Sequence, residues 1–125
     1  MIILDASAAL AVLLREPGAE RVQQTFVSAG ISAATLAEIL SKATQRGIPC
    51  DEAYPAILDF GIEVFPVTTL HARIAGEISR APRELDLSLG DRLCIALAIS
   101  LNCELLTSDR GMAEFKAGIP ITRFR

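Results

Sequence analysis

Three consecutive apolar residues, Ile2 to Leu4, open the chain and end on Asp5, and an Ala- and Leu-rich run, Ala6 to Leu14, follows. The first predicts a buried strand, because two of its residues are β-branched; the second predicts a helix, because Ala and Leu are strong helix formers. Glu16-Pro17-Gly18 interrupts the pattern. Val22 and Phe26, at i and i+4, then predict a second helix over Ala19 to Val27, ended by Gly30. Ile31 to Ala33 predicts a short second strand. From Thr35, the apolar positions Leu36, Ile39, Leu40 and Ala43 form an i, i+3, i+4, i+7 stripe that runs towards Gly47.

The same alternation continues to the end of the chain. A helix from Asp51 to Gly61 gives way to a strand over Ile62 to Val67, with Pro66 near its end, and then to a helix over Thr69 to Arg80. A loop over Ala81 to Gly90 contains Pro82. Leu93 to Leu101 is apolar on nearly every side, as expected of a helix buried inside a layered domain. Cys103 to Thr107 predicts a strand, Gly111 to Lys116 a short helix, and Ile119 to Phe124 a last edge strand. Strands alternating with helices imply an α/β fold with a central, mainly parallel sheet of four to five strands and helices on both faces.

Four acids stand at junctions of this pattern. Asp5 ends the first strand, Glu38 follows Thr35-Leu-Ala, Asp91 follows Ser88-Leu-Gly, and Asp109 follows Leu-Leu-Thr-Ser. In open α/β sheets ligands bind beyond the carboxyl ends of the strands, so carboxylates from these four segments can converge at one edge. Oxygen donors of this kind suit Mg²⁺ or Mn²⁺. Helix capping accounts for each acid taken singly. Thr35-x-x-Glu38 and Ser88-x-x-Asp91 fit a capping box with the acids in a first helical turn, and Asp5 and Asp109 fit N-caps or Asx turns.

Composition narrows the chemistry. The 125 residues, 51% hydrophobic, suffice for one domain, residues 1–125, with one core. A net charge of −3 counts against non-specific nucleic-acid binding, so a nucleic-acid substrate would need metal ions or a local basic rim. Cys50, Cys94 and Cys103 form no CxxC and have no neighbouring histidine, which predicts neither a zinc site nor a disulfide framework and fits a reducing cytoplasm. No basic leader precedes Ile2, and the longest apolar stretch, Ala8 to Leu14, is too short for a membrane span. The single histidine, His71, falls on a predicted helix away from all four acids, which assigns it to surface or packing.

Taken in order, Ile2-Ile-Leu-Asp5-Ala-Ser-Ala8, Thr35-Leu-Ala-Glu38, Leu87-Ser-Leu-Gly-Asp91-Arg-Leu-Cys-Ile-Ala-Leu-Ala98 and Leu106-Thr-Ser-Asp109-Arg110 resemble a PIN-domain ribonuclease, and more narrowly a VapC-type toxin of a toxin–antitoxin pair. The resemblance covers essentially the whole chain, and Ser88-Leu-Gly-Asp91-Arg92 is its most specific piece. It implies that Asp5, Glu38, Asp91 and Asp109 are a catalytic quartet holding one or two Mg²⁺ or Mn²⁺ ions. It also implies hydrolysis of an RNA phosphodiester to a 5′-phosphate and a 3′-hydroxyl, with no histidine base. Ser7 and Thr107 correspond to hydroxyls that support the acids in such proteins, an ordinary cap being the alternative for Ser7. Arg92 and Arg110 flank two acids and either touch phosphate or offset carboxylate repulsion.

Partners expected by resemblance are an RNA substrate, a cognate antitoxin, and a homodimer or toxin–antitoxin hetero-oligomer, without a membrane. Few aromatics, 5% with no Trp, argue against a base-stacking platform. One departure is the pair Gly111-Met112, where many relatives carry a bulky aromatic. Two rival readings compete: a PIN-like module that binds without catalysis, and a phosphoreceiver domain. The receiver reading lacks a paired acid beside Asp5, an Asp after Ile62 to Val67, and a suitably placed late Lys.

Overall fold

Five short strands form the centre of the structure, and every neighbouring pair is parallel. The computed structural model describes residues 1–125. In chain order the elements are β1 Ile2–Leu4, α1 Ala6–Leu13, α2 Ala19–Gln23, β2 Ala29–Ser32, α3 Ala33–Gln45, α4 Cys50–Asp59, β3 Glu63–Phe65, α5 Thr69–Ile78, α6 Leu89–Leu101, β4 Glu104–Thr107, α7 Arg110–Glu114 and β5 Ile121–Arg123. Single 3₁₀ turns occupy Phe26–Ser28 and Arg83–Leu85.

The strand order is β3-β2-β1-β4-β5. The chain winds outwards from β1 through β2 to β3, then crosses to the other side of β1 to lay down β4 and β5. Strand order therefore reverses between β1 and β4, and the crevice beyond their carboxyl ends is where such sheets bind ligands. This order also excludes the receiver reading, whose flavodoxin-like sheet runs 2-1-3-4-5.

Side chains alternate across the sheet, as the two-residue period of a strand requires. Leu4, Ile31 and Leu106 point into a core shared with α1, α3 and α4, while Ile3 and Leu105 point to the opposite face against α6 and α5. On α6, Cys94, Ile95, Ala96, Leu97 and Ala98 are all buried, which explains the helix's lack of a polar face. No helix is long and apolar enough to cross a membrane.

Several boundaries differ from expectation, among them α6, which starts at Leu89 and takes in Gly90. The second helix stops at Gln23, where the Thr25 hydroxyl donates to the Val22 carbonyl at 2.7 Å. Gly30 is not its terminator but a buried residue inside β2, where an added Cβ would stand 2.8 Å from the Phe65 ring. Helix α3 starts at Ala33, capped by Ser32, whose hydroxyl accepts from the Ala34 N–H at 3.1 Å. The Thr35–Glu38 capping box therefore does not form: Thr35 is buried in the first turn and Glu38 lies in the second.

His71 is a packing residue, as expected, but a buried one. Its Nδ1 accepts from the Thr68 N–H, its own N–H donates to the Thr68 hydroxyl, and its Nε2 meets the Ser100 hydroxyl at 3.1 Å, which ties α5 to α6.

Candidate active site

Asp5 is the best-fixed of the four acids. It is 6% exposed and occupies the N-cap position of α1, yet its side chain makes no capping hydrogen bond. The Ser7 and Thr107 hydroxyls each donate to Asp5 Oδ2 at 2.9 Å. Each hydroxyl is itself fixed by the turn after β4: the Ser108 N–H donates to Ser7 Oγ and the Asp109 N–H to Thr107 Oγ1, both at 3.0 Å. Two relays thus hold one carboxylate oxygen across the gap between β1 and β4. Oδ1 has no partner within the chain, and no buried polar side-chain atom lacks one, so Oδ1 faces solvent at the sheet edge. Capping, the competing account of Asp5, does not describe its contacts.

Asp91 closes a true capping box on α6. Its Oδ2 accepts from the Ser88 N–H at 2.9 Å, and its own N–H donates to the Ser88 hydroxyl at 3.1 Å. Asp109 caps α7 through the Gly111 N–H, at 2.9 Å. Glu38 reaches the group from the second turn of α3 and lies against Gly90, where a Cβ would collide with its carboxylate. Ser88-Leu-Gly-Asp91 thereby combines a cap, an acid and a space for a second acid.

The electrostatics place the acids in one field. Burial raises the Glu38 pKa above its ordinary value, repulsion by Asp5 and Asp91 raises it further, and Lys42 acts in the opposite sense. Asp91 is likewise raised, first by burial and then by Asp5 and Asp109, against the lowering effect of its Ser88 hydrogen bonds. Asp5, Glu38 and Asp91 repel one another, and Asp109 acts on the set through Asp91. Beneath them the buried Cys94 thiol is pushed well up by burial and the nearby carboxylates, and accepts partial relief from Thr35. The sequence pattern assigns Thr35 to a helix cap and Cys94 to no site, whereas the structure buries both under the acids as a neutral floor.

The donor set consists of carboxylates without a histidine or an ionised thiol, which suits a hard divalent cation. As the side chains stand, no three His, Cys, Asp or Glu residues are arranged to enclose an ion. Asp91 and Asp109 each commit an oxygen to a helix cap. This fits an ion that keeps several waters and takes few direct protein ligands, the habit of Mg²⁺, and less well a cage of four carboxylates.

Of the flanking cations, Arg92 turns away: its Nη1 donates to the Ala75 carbonyl at 3.2 Å, fastening α6 to α5. Arg110 is exposed on α7. The departure at Gly111-Met112 has a local reason. Met112 is buried beneath the Thr107 hydroxyl at 3.7 Å, and a Cβ at Gly111 would collide with the Leu85 carbonyl, so the turn at Arg83–Leu85 packs directly on α7.

Gly90→Ala offers a test of Glu38 positioning. Gly90 has an ordinary negative φ within α6, so Ala should leave the fold intact and stabilise it by up to about 1 kcal/mol. The new methyl must displace the Glu38 carboxylate, and misplacement of about 1 Å can cost about 10²-fold in rate. A thermal melt alongside a turnover measurement should show stability kept or gained and activity lost.

Comparison with known proteins agrees with this architecture. A search of curated proteins finds no match. Among solved structures, the chain is similar to DNA-bound VapBC from Salmonella typhimurium, at TM-score 0.75 and 21% identity, covering 99% of this chain and 98% of that one. It is similar to VapBC2 from Rickettsia felis bound to a promoter DNA fragment, at TM-score 0.74 and 16% identity over 98% of both chains. It is also similar to VapBC-1 from nontypeable Haemophilus influenzae, at TM-score 0.73 and 20% identity, covering 99% and 98%. At these identities the likeness is one of fold. The PIN domain family model matches residues 2–118, from the first strand past α7, and the chain belongs to the PIN domain family.

Proposed function

We propose that this chain is a divalent-metal-dependent endoribonuclease acting as the toxin of a toxin–antitoxin pair. The observation that carries the reading is Asp5, held by Ser7 and Thr107 at the point where strand order reverses, with Glu38 and Asp91 part-buried beside it and each raised in pKa by burial and then by the Asp5 charge. Membership of the PIN family and the likeness to VapBC structures support it.

Asp5, through its free Oδ1, together with Glu38, Asp91 and Asp109 would hold Mg²⁺ or Mn²⁺. Such an ion, when bound, supplies Lewis-acid stabilisation of a phosphodiester and acidifies water. The residues do the rest. The Ser7 and Thr107 hydroxyls aim Asp5 by donating to its other oxygen. Glu38 and Asp91 bring two further carboxylates to the same edge. Cleavage would leave a 5′-phosphate and a 3′-hydroxyl.

The VapBC structures are complexes of a toxin with its antitoxin, and by that likeness we assign this chain a small cognate antitoxin, with homodimeric or hetero-oligomeric assembly, in the cytoplasm. The free thiols Cys50, Cys94 and Cys103 agree with a reducing compartment. The deciding experiment incubates purified, antitoxin-free protein with total cellular RNA in Mg²⁺, Mn²⁺ or chelator and maps the cut ends. Cleavage only with the ion is expected; metal-independent cleavage, or none on any RNA, would overturn the reading.

Burial, with carboxylate crowding added to it, also predicts a pH dependence. Because folding raises the Glu38 and Asp91 pKa values, the native state binds more protons than the unfolded chain above their ordinary values of 4.5 and 3.8. Their contribution to stability is full in acid and is lost as pH rises through the raised values. Denaturant titration of metal-free protein should show that loss, and saturating Mg²⁺ should reduce it by relieving the repulsion that adds to burial.

A further inference from the structure

Beside Asp5 the surface opens into a groove of about 360 Å³ between α1 and α3, whose lining includes Ser7, Glu16, Lys42, Gln45, Arg46 and Arg125. Ser7 belongs to both features, since it lines the groove and its hydroxyl holds Asp5, so the groove adjoins the carboxylate centre at Ser7. Its charge is opposite to that of the centre. Three cations line it against one acid, Glu16, in a chain whose net charge is −3.

Helix α3 sets the spacing. Glu38, Lys42 and Arg46 follow one another at i, i+4 and i+8, so they form a row along the helix that closes on Arg46, the residue at its C-terminal end. The row starts with an acid at the centre and continues with two exposed cations along the groove wall, about 6 Å apart in rise. That is the scale of successive phosphates on an extended strand. Neither cation has a carboxylate partner: the one salt bridge in the structure joins Arg125 to Glu16, at 3.5 Å, and Arg125 also donates to the Pro17 carbonyl at 2.9 Å. Arg125 is therefore anchored while Lys42 and Arg46 remain available.

We infer that this groove carries the RNA strand flanking the cleaved bond, with Lys42 and Arg46 binding its phosphates. The inference rests on the ribonuclease reading and supplies the local basic rim that an acidic chain needs to hold an anionic polymer. Gln45 is the polar group in the same wall able to hydrogen-bond ribose or base edges without a charge. An acidic peptide is the competing occupant; the row of two cations at phosphate spacing, leading directly from the carboxylates, favours RNA.

The test uses Lys42→Ala/Arg46→Ala in an Asp5→Asn background, so that RNA is bound and not cut, with a mixed-sequence single-stranded RNA oligonucleotide as probe. Loss of two phosphate contacts should reduce the slope of log affinity against log salt by about 1.4, and lower affinity about 25-fold at about 0.1 M salt. Lys42→Arg/Arg46→Lys should retain both values. With Asp5 intact, the double Ala variant should raise KM for long RNA far more than it lowers kcat. If RNA is cut but affinity and salt slope do not change, the groove is not the RNA track and the ribonuclease reading stands. If charge-dependent RNA binding is lost as expected but the intact protein cuts no RNA, the ribonuclease reading falls alone. A short poly-glutamate peptide displaced by the double variant, with RNA affinity unaltered, would make the groove a peptide site and overturn the inference.

Discussion

Asp5→Asn should reduce kcat/KM for RNA by on the order of 10³-fold or more while leaving the protein folded, because it removes a charge needed where the transition state develops charge. The substitution is nearly isosteric. The amide oxygen can accept from Ser7 and Thr107 as Oδ2 does now, so the relays to Ser108 and Asp109 survive. The amide NH₂ then takes the place of the solvent-facing oxygen and cannot ligate a cation. Repulsion on Glu38 and Asp91 falls at the same time, so the metal-free variant should lose less stability than the parent as pH rises from acid. Metal titration, melting curves and turnover together decide the point. Full cleavage by Asp5→Asn would remove Asp5 from the site.

The second large effect belongs to Thr107, which contributes no ligand. Thr107→Val keeps the shape of a side chain with 0% exposure but deletes its hydroxyl. Asp5 then loses one of two donors, and the Asp109 N–H loses its acceptor. An unsatisfied buried group of this kind costs about 1–3 kcal/mol. Loss of a supporting hydrogen bond to a ligand lowers metal affinity by about 10–100-fold. Thr107→Ser should restore metal affinity because it keeps the hydroxyl, and should remain about 1 kcal/mol less stable for want of the methyl group. Titration with Mn²⁺ separates these two effects: a purely structural Thr107 would make both variants alike in affinity.

These outcomes bear on how a weakly charged set of helix starts becomes a site. Asp91 and Asp109 do serve as caps, as their local sequence predicts, and still add their charge to the shared field. A cap and a ligand are compatible roles, since a carboxylate has two oxygens and capping occupies one. Asp5 differs because its contacts run across the sheet to β4, a separation of 102 residues that no local rule addresses.

Hydrophobic periodicity determined much of the architecture by itself. The strand–helix alternation, the buried helix after Ser88-Leu-Gly-Asp91 and the strands ending at Asp5 and near Asp109 all follow from short-range patterns, because burial selects side chains at every second or every third to fourth position. Asp5, Asp91 and Asp109 stand at element boundaries and are legible for the same reason, whereas Glu38, in the second turn of α3, is not. Tertiary structure alone decided the strand order, and hence that β1 and β4 are neighbours with Asp5 and Thr107 in contact. It moved the cap of α3 from Thr35 to Ser32, made Gly90 the seat of Glu38, and set Lys42 and Arg46 beside Ser7. Contacts between distant segments depend on which strands pair and how helices dock, and those choices are made by the whole core, not by the residues that end up touching.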